Sequence, residues 1–256
     1  MAGAPVFKDI TLFVPLTYKH LTEMKKRLFL SLVAMTALML FIAVPTDTYA
    51  QGRNRNYIKE RIDEHGECRN VAITKRNGDL MLYGENGWAA SGCPKGLTDA
   101  LRKLNDEGEY INDVQLTENG CWLILYGNNG IRYNDIPYSL EKKLREWNNK
   151  KEVITSVSFN DDGDWIAVSE NYISASDSEI QDFISEGMDS YGGVWATCIT
   201  DDAIVVVYEE GYRTVGNIPS TLMAKLKSTS INVYRLKIAG ESWFISDGKS
   251  QFDYNM

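Results

Sequence analysis

The chain reads as a mainly β protein with helices: an α+β repeat of five helix-plus-three-strand units of about 40–43 residues, expected to close into a propeller-like ring. Three observations predict this class. Apolar and turn residues recur every 43 positions: Val71, Val114 and Val157; Gly120 and Gly163; Trp122 and Trp165; Tyr83 and Tyr126; Pro94 and Pro137. Ile136-Pro137 returns as Ile218-Pro219 roughly two periods later. Within each period the apolar spacing changes from that of a helix to that of strands.

The units run over 56–96, 97–139, 140–178, 179–221 and 222–256, so residues 51–256 are expected to be one repeat domain. Each unit opens with a polar-rich helix, such as 140–148, where Leu140, Leu144 and Trp147 share one face. Residues 57–64 supply the first helix. A proline opens most helices, where its missing N–H leaves no bond unmade, and the third unit lacks it. A first strand with alternating apolar residues follows, as in Val114 and Leu116 or Val157 and Phe159. Glu118-Asn119-Gly120 and Asp161-Asp162-Gly163 then form tight hairpin turns. The second strands, 122–126, 165–168, 204–208 and 243–245, are continuously apolar and are expected to be inner strands covered on both faces. Asn86-Gly87, Asn129-Gly130 and Glu210-Gly211 turn into third strands such as 131–133, the last being 251–254. Radial repetition of such units hides sheet edges that would otherwise template aggregation.

The order strand, strand, strand, proline-helix is carried by Asn112-Asp113-Val114, Trp122-Leu123-Ile124-Leu125-Tyr126 and Ile136-Pro137. In that order the chain resembles the hemopexin repeat of small β-propellers, although that family has four blades. In cyclic order it is also similar to the five ββαβ units of pentein folds, and an open stack is the third arrangement. These resemblances span 56–256 and imply architecture, not activity.

Ahead of the repeats stand Met24, Lys25, Lys26 and Arg27, then an uncharged apolar run over 28–44, Pro45, and Thr48-Tyr49-Ala50. This is the layout of a secretory signal peptide over 24–50. Residues 1–23 are expected to be an upstream artefact, with translation beginning at Met24. The run is a little short of the ~20 residues of a spanning helix, so an uncleaved anchor is the lesser alternative. No cysteine stands near the expected cut, which argues against a lipoprotein. The repeat domain is therefore expected outside the cytoplasm, periplasmic or extracellular, without membrane insertion after cleavage.

With 24% charged and 44% hydrophobic residues in 256, the composition is globular. A net charge of −8 speaks against nucleic acid as the main partner and favours a basic or neutral one. His20 and His65 are the only histidines. His65 ends the first helix before Gly66, which is ordinary C-terminal capping. Asp161, Asp162 and Asp164 lack the alternating spacing of a calcium loop and read as a hairpin turn. No CxxC or Cys/His cluster is present, so neither metal nor cofactor is expected. Cys68 and Cys93 bracket the strands of the first unit and are expected to pair as a disulfide, with Cys121 and Cys198 as buried thiols.

Trp122, Trp165 and Trp243 share one repeat position and are expected to pack the core. Trp88, Tyr133, Tyr172, Trp195 and Tyr212 are the ligand-contacting candidates, with the turns Asn128-Asn129 and Glu209-Glu210 beside them. The function this composition supports is a non-enzymatic binding module recognising a protein or polysaccharide of the cell envelope. The alternative is an extracellular hydrolase with a carboxylate pair in a central pocket.

Overall fold

The structure, a computed structural model, describes residues 55–256. The signal-peptide reading of 24–50 and the reading of 1–23 lie outside the described residues. Among the described residues no helix is long and apolar enough to cross a membrane.

The described residues form five helices and five three-stranded antiparallel sheets in strict rotation, as the repeat predicts. The first unit is α1 (Asn56–His65), β1 (Asn70–Ile73), β2 (Asp79–Tyr83) and β3 (Gly87–Ser91). The second is α2 (Lys95–Asp106), β4 (Ile111–Leu116), β5 (Trp122–Tyr126) and β6 (Gly130–Asn134). The third is α3 (Tyr138–Asn149), β7 (Ile154–Phe159), β8 (Trp165–Ser169) and β9 (Ile173–Ala175). The fourth is α4 (Ser178–Tyr191), β10 (Val194–Ile199), β11 (Ala203–Tyr208) and β12 (Tyr212–Gly216). The fifth is α5 (Ser220–Ser228), β13 (Arg235–Ala239), β14 (Ser242–Ser246) and β15 (Phe252–Asn255).

Pro94, Pro137 and Pro219 stand just before α2, α3 and α5 in extended conformation, and their carbonyls accept the first helical N–H bonds. At α4, where proline is missing, the Asp177 carboxylate takes over and accepts from the Ile180 N–H at 2.9 Å. His65 ends α1, and Gly66 follows at φ +67°, a left-handed cap that disfavours any side chain.

The second strand is the middle of each sheet, not the innermost strand expected from its sequence. Its continuous apolar character has the expected cause, cover on both faces, and each face meets a different apolar cluster. Trp122 and Ile124 of β5 pack with Leu97, Leu101 and Leu104 of α2, whereas Leu123 and Leu125 pack with Leu140, Leu144 and Trp147 of α3. Every cluster thus joins two successive sheets around one helix. The fifth does the same with the last and first sheets: Ala239 and Phe244 pack with Val71, Met81 and Ile58.

The first strands occupy the innermost place. β1 lies beside β4 and β13, β10 beside β7 and β13, and β4 beside β7, so the order of neighbours returns to its start. The repeat period appears directly as hydrogen bonds between units. Asn70 Nδ2 donates to Asp113 Oδ1 at 2.6 Å, one period away, and Glu118 accepts from the Lys75 and Arg76 N–H groups. Asn119 N–H in turn donates to Asp161 at 3.2 Å. The acidic turn at Asp161 is therefore bound to its neighbour unit as a hairpin.

Candidate functional site

Each first strand has two ends, and the fold gathers equivalent ends from different units. At the exit end, residues from all five units line a cavity of about 70 Å³, among them Lys75, Glu118, Asp161, Asp201 and Lys237. That volume holds a few waters. Burial first, then the charges of Asp162 and Asp161, raise the Asp201 carboxyl above the usual carboxylate range.

Beneath this cavity lies a buried polar knot. Asp113 Oδ1 accepts from Lys237 Nζ at 2.9 Å as well as from Asn70, and its Oδ2 accepts from Gln115 Nε2 at 3.0 Å. Burial acts to raise the Asp113 carboxyl, but the Lys237 and Arg235 charges and the hydrogen bonds outweigh it and hold it below its ordinary value. An acid held ionised by a lysine has no proton to give, so Asp113 is suited to a structural charge rather than to general acid work.

The entry end is different in kind. Residues at the starts of four neighbouring first strands form a continuous arc. Trp195, the bulge residue of β10, packs its ring on Tyr234 with centroids 4.9 Å apart. Arg235 follows Tyr234 and donates from Nη1 to its carbonyl at 2.8 Å. Arg235 pairs in register with Ser246, whose hydroxyl donates to the Arg69 carbonyl. The Arg69 guanidinium lies 4.5 Å from the Tyr110 ring centroid, and its Nη1 donates to the Tyr110 hydroxyl at 2.8 Å. Tyr110 and Tyr234 are 39% and 38% exposed, and Trp195 is half-buried. Two cations flanked by three aromatic rings make a surface able to cover apolar area and engage negative charge together.

The residues named from the sequence are scattered by the fold. Trp195 belongs to the arc. Trp88 is half-buried against the cluster around α2. The Tyr133 hydroxyl donates to Glu141 at 2.8 Å and accepts from Arg145 at 2.6 Å, tying β6 to α3. Tyr172 is exposed on the third unit. Tyr212 is buried in the cluster around α5, so its ring packs the core and does not present a surface. Trp122, Trp165 and Trp243 are buried at one position of the repeat. The indole N–H groups of Trp165 and Trp243 each donate to a hydroxyl on the helix of the same unit, Ser139 and Thr221, both at 2.9 Å.

All four cysteines are free thiols in this structure, in place of the expected Cys68–Cys93 bridge. The two thiols belong to different apolar clusters, on opposite sides of the first sheet. Cys68 Sγ points to the Asn70 carbonyl and Cys93 Sγ to that of Asp79. Burial pushes the Cys68 thiol up to about 12 and the Cys198 thiol to about 11, which leaves no thiolate to act as a nucleophile at neutral pH. His65 stacks on Tyr83 with centroids 3.7 Å apart. Among the described residues no three His, Cys, Asp or Glu side chains come together in a metal-binding group.

Sequence reasoning missed Arg69, Tyr110, Tyr234 and Arg235. A signal was available: Glu67, Tyr110 and Val153 fall one period apart just before the first strands, where a polar loop is the ordinary choice, and two of the three are not polar.

No family model matches the chain, and no curated protein matches it. Among solved structures, one titled "YCF48 bound to D1 peptide" is similar over 70% of this chain and 47% of that chain, with 7% identity and a TM-score of 0.27. This chain thus spans about half the length of that structure.

Proposed function

We propose that the chain is an exported, non-enzymatic interaction module that binds a protein of the cell envelope through the entry end of its first strands. The observation that carries this reading is the arc of Trp195, Tyr234, Arg235, Arg69 and Tyr110, which the fold assembles from four units. Aromatic and arginine side chains are the types that dominate binding energy at protein interfaces. The cyclic order of neighbours supports a closed, propeller-like ring as the scaffold, which presents this arc on rigid strand ends. The layout of residues 24–50 supports export and release of the repeat domain.

A protein is preferred over a polysaccharide because each ring of the arc already has one side engaged. Trp195 packs tilted on Tyr234, and the Arg69 guanidinium lies over Tyr110. A sugar platform needs an open aromatic face, whereas a peptide is served by ring edges and hydroxyls.

Affinity capture from envelope fractions tests the reading, with Trp195→Ala plus Tyr234→Ala compared against the wild type and Tyr172→Ala. The expected result is one stoichiometric protein, captured by the wild type and by Tyr172→Ala and lost on the double substitution. Capture that is unaffected by the double substitution contradicts the siting.

A further inference from the structure

We infer that Arg69 and Arg235 form a receptor for a carboxylate on the partner, an acidic side chain of the bound protein. This deepens the reading of the entry end as the binding face and rests on it.

This fold gives its other buried cations a carboxylate. Arg55 lies 3.4 Å from the Asp79 carboxylate, and Lys237 lies 2.9 Å from that of Asp113, all four side chains being buried. A cation taken from water needs such a counter-charge, since the uncompensated cost is several kcal/mol. Arg69 is 5% exposed, yet among the described residues no carboxylate lies within ion-pair distance of it. Its partners are neutral oxygens: the Tyr110 hydroxyl, the Ile111 carbonyl at 3.1 Å and the Glu85 carbonyl at 3.4 Å. Its Nε is buried without an acceptor. Arg235 repeats the pattern, with one bond to the Tyr234 carbonyl, a buried Nε without an acceptor and no ion-pair partner among the described residues.

The two guanidinium groups also act on each other. Burial is the main cause that lowers the Arg69 pKa; Tyr110 opposes it, and the Arg235 charge adds to the lowering against smaller opposing effects of Cys68 and Glu67. An anion seated against the half-buried Arg235 offsets this repulsion. The planar fork of an arginine fits a carboxylate with two parallel N–H···O bonds. The chain's net charge of −8 opposes acidic ligands elsewhere on the surface, so binding of one reports on this place.

The test is fluorescence anisotropy of labelled penta-glutamate against the full chain, with penta-glutamine and a uronate oligosaccharide as comparison probes. Penta-glutamate is expected to bind and penta-glutamine not to. Arg235→Gln is expected to weaken penta-glutamate at least about tenfold, the loss of one charge-assisted pair. Arg69→Lys, which keeps the charge and loses the fork, is expected to weaken it as well. Arg69 is buried and its substitution endangers the fold, so the half-buried Arg235 carries the decision, with circular dichroism checking that the variant is folded. The inference is overturned if penta-glutamate does not bind, if its binding survives Arg235→Gln, or if the uronate alone binds. If it fails while partner capture still depends on Trp195 and Tyr234, the binding face stands without the carboxylate receptor. If capture fails as well, both fall.

Discussion

Lys237 donates to Asp113 at 2.9 Å across 124 positions of sequence, and both side chains are buried among the first strands. With Asn70 and Gln115 on the same carboxylate, the contact ties the first, second and fifth units at one point. Removing either partner leaves an uncompensated buried charge. Lys237→Met or Asp113→Leu alone is expected to cost about 3–5 kcal/mol in urea unfolding, and the double substitution distinctly less than the sum.

Acid stability follows from the same carboxylate. The Asp113 pKa is depressed in the folded state, so its contribution is complete above the ordinary carboxylate pKa and is lost as pH falls through the folded value. The wild type is expected to hold its stability down to about pH 4 and lose it below. Lys237→Met should move the acid unfolding midpoint to higher pH, read by circular dichroism.

Buried thiols set the alkaline limit. Cys68 and Cys198 are raised to about 12 and about 11, above the value an exposed thiol takes in the unfolded chain. A raised folded-state pKa contributes stability that is complete below the unfolded value and is lost as pH rises toward the folded one. The chain is expected to weaken progressively above about pH 8.5, and Cys68→Ala plus Cys198→Ala to flatten that fall. Thiol titration of the native protein should label Cys121 and Cys93, both half-buried, well before the other two.

Gly187 sits in α4 where a Cβ would come within 2.1 Å of the Tyr208 hydroxyl. That hydroxyl is fully buried and donates to the Ile184 carbonyl at 3.2 Å. Alanine is the better helix former, yet Gly187→Ala is expected to destabilise by about 1–3 kcal/mol through overpacking. Gly193, with no atom within 4 Å of such a Cβ, makes the matched control and is expected to be near neutral.

Much of the architecture is legible in the sequence because one backbone plan is written five times. The 43-residue register placed the helices, the hairpins and the buried positions of Trp122, Trp165 and Trp243. It also marked Pro94, Pro137 and Pro219 as helix openings, and the missing fourth proline is answered by Asp177. What periodicity does not show is which strand of a sheet is innermost. An apolar run reads the same whether a strand lines a centre or lies between two clusters, and β5 is the second case. The aromatic and arginine arc is hidden for a related reason. Arg69, Trp195 and Tyr234 come from different units and no residue type repeats among them, so the register that reveals the core is silent about them and marks only Tyr110, one period from Glu67 and Val153. Net charge does not report local distribution: among the described residues, Arg69 and Arg235 stand at one end with no carboxylate in ion-pair distance.

The most direct test of the central claim is site-specific photo-crosslinking in living cells. A photoreactive phenylalanine analogue would replace Tyr234 at the entry end or Asp162 in the exit-end turns, each in the full chain. The account predicts one discrete crosslinked envelope protein from position 234, reduced by Arg235→Gln, and none from position 162. Equal crosslinking from both positions, or crosslinking from 162 alone, would contradict it.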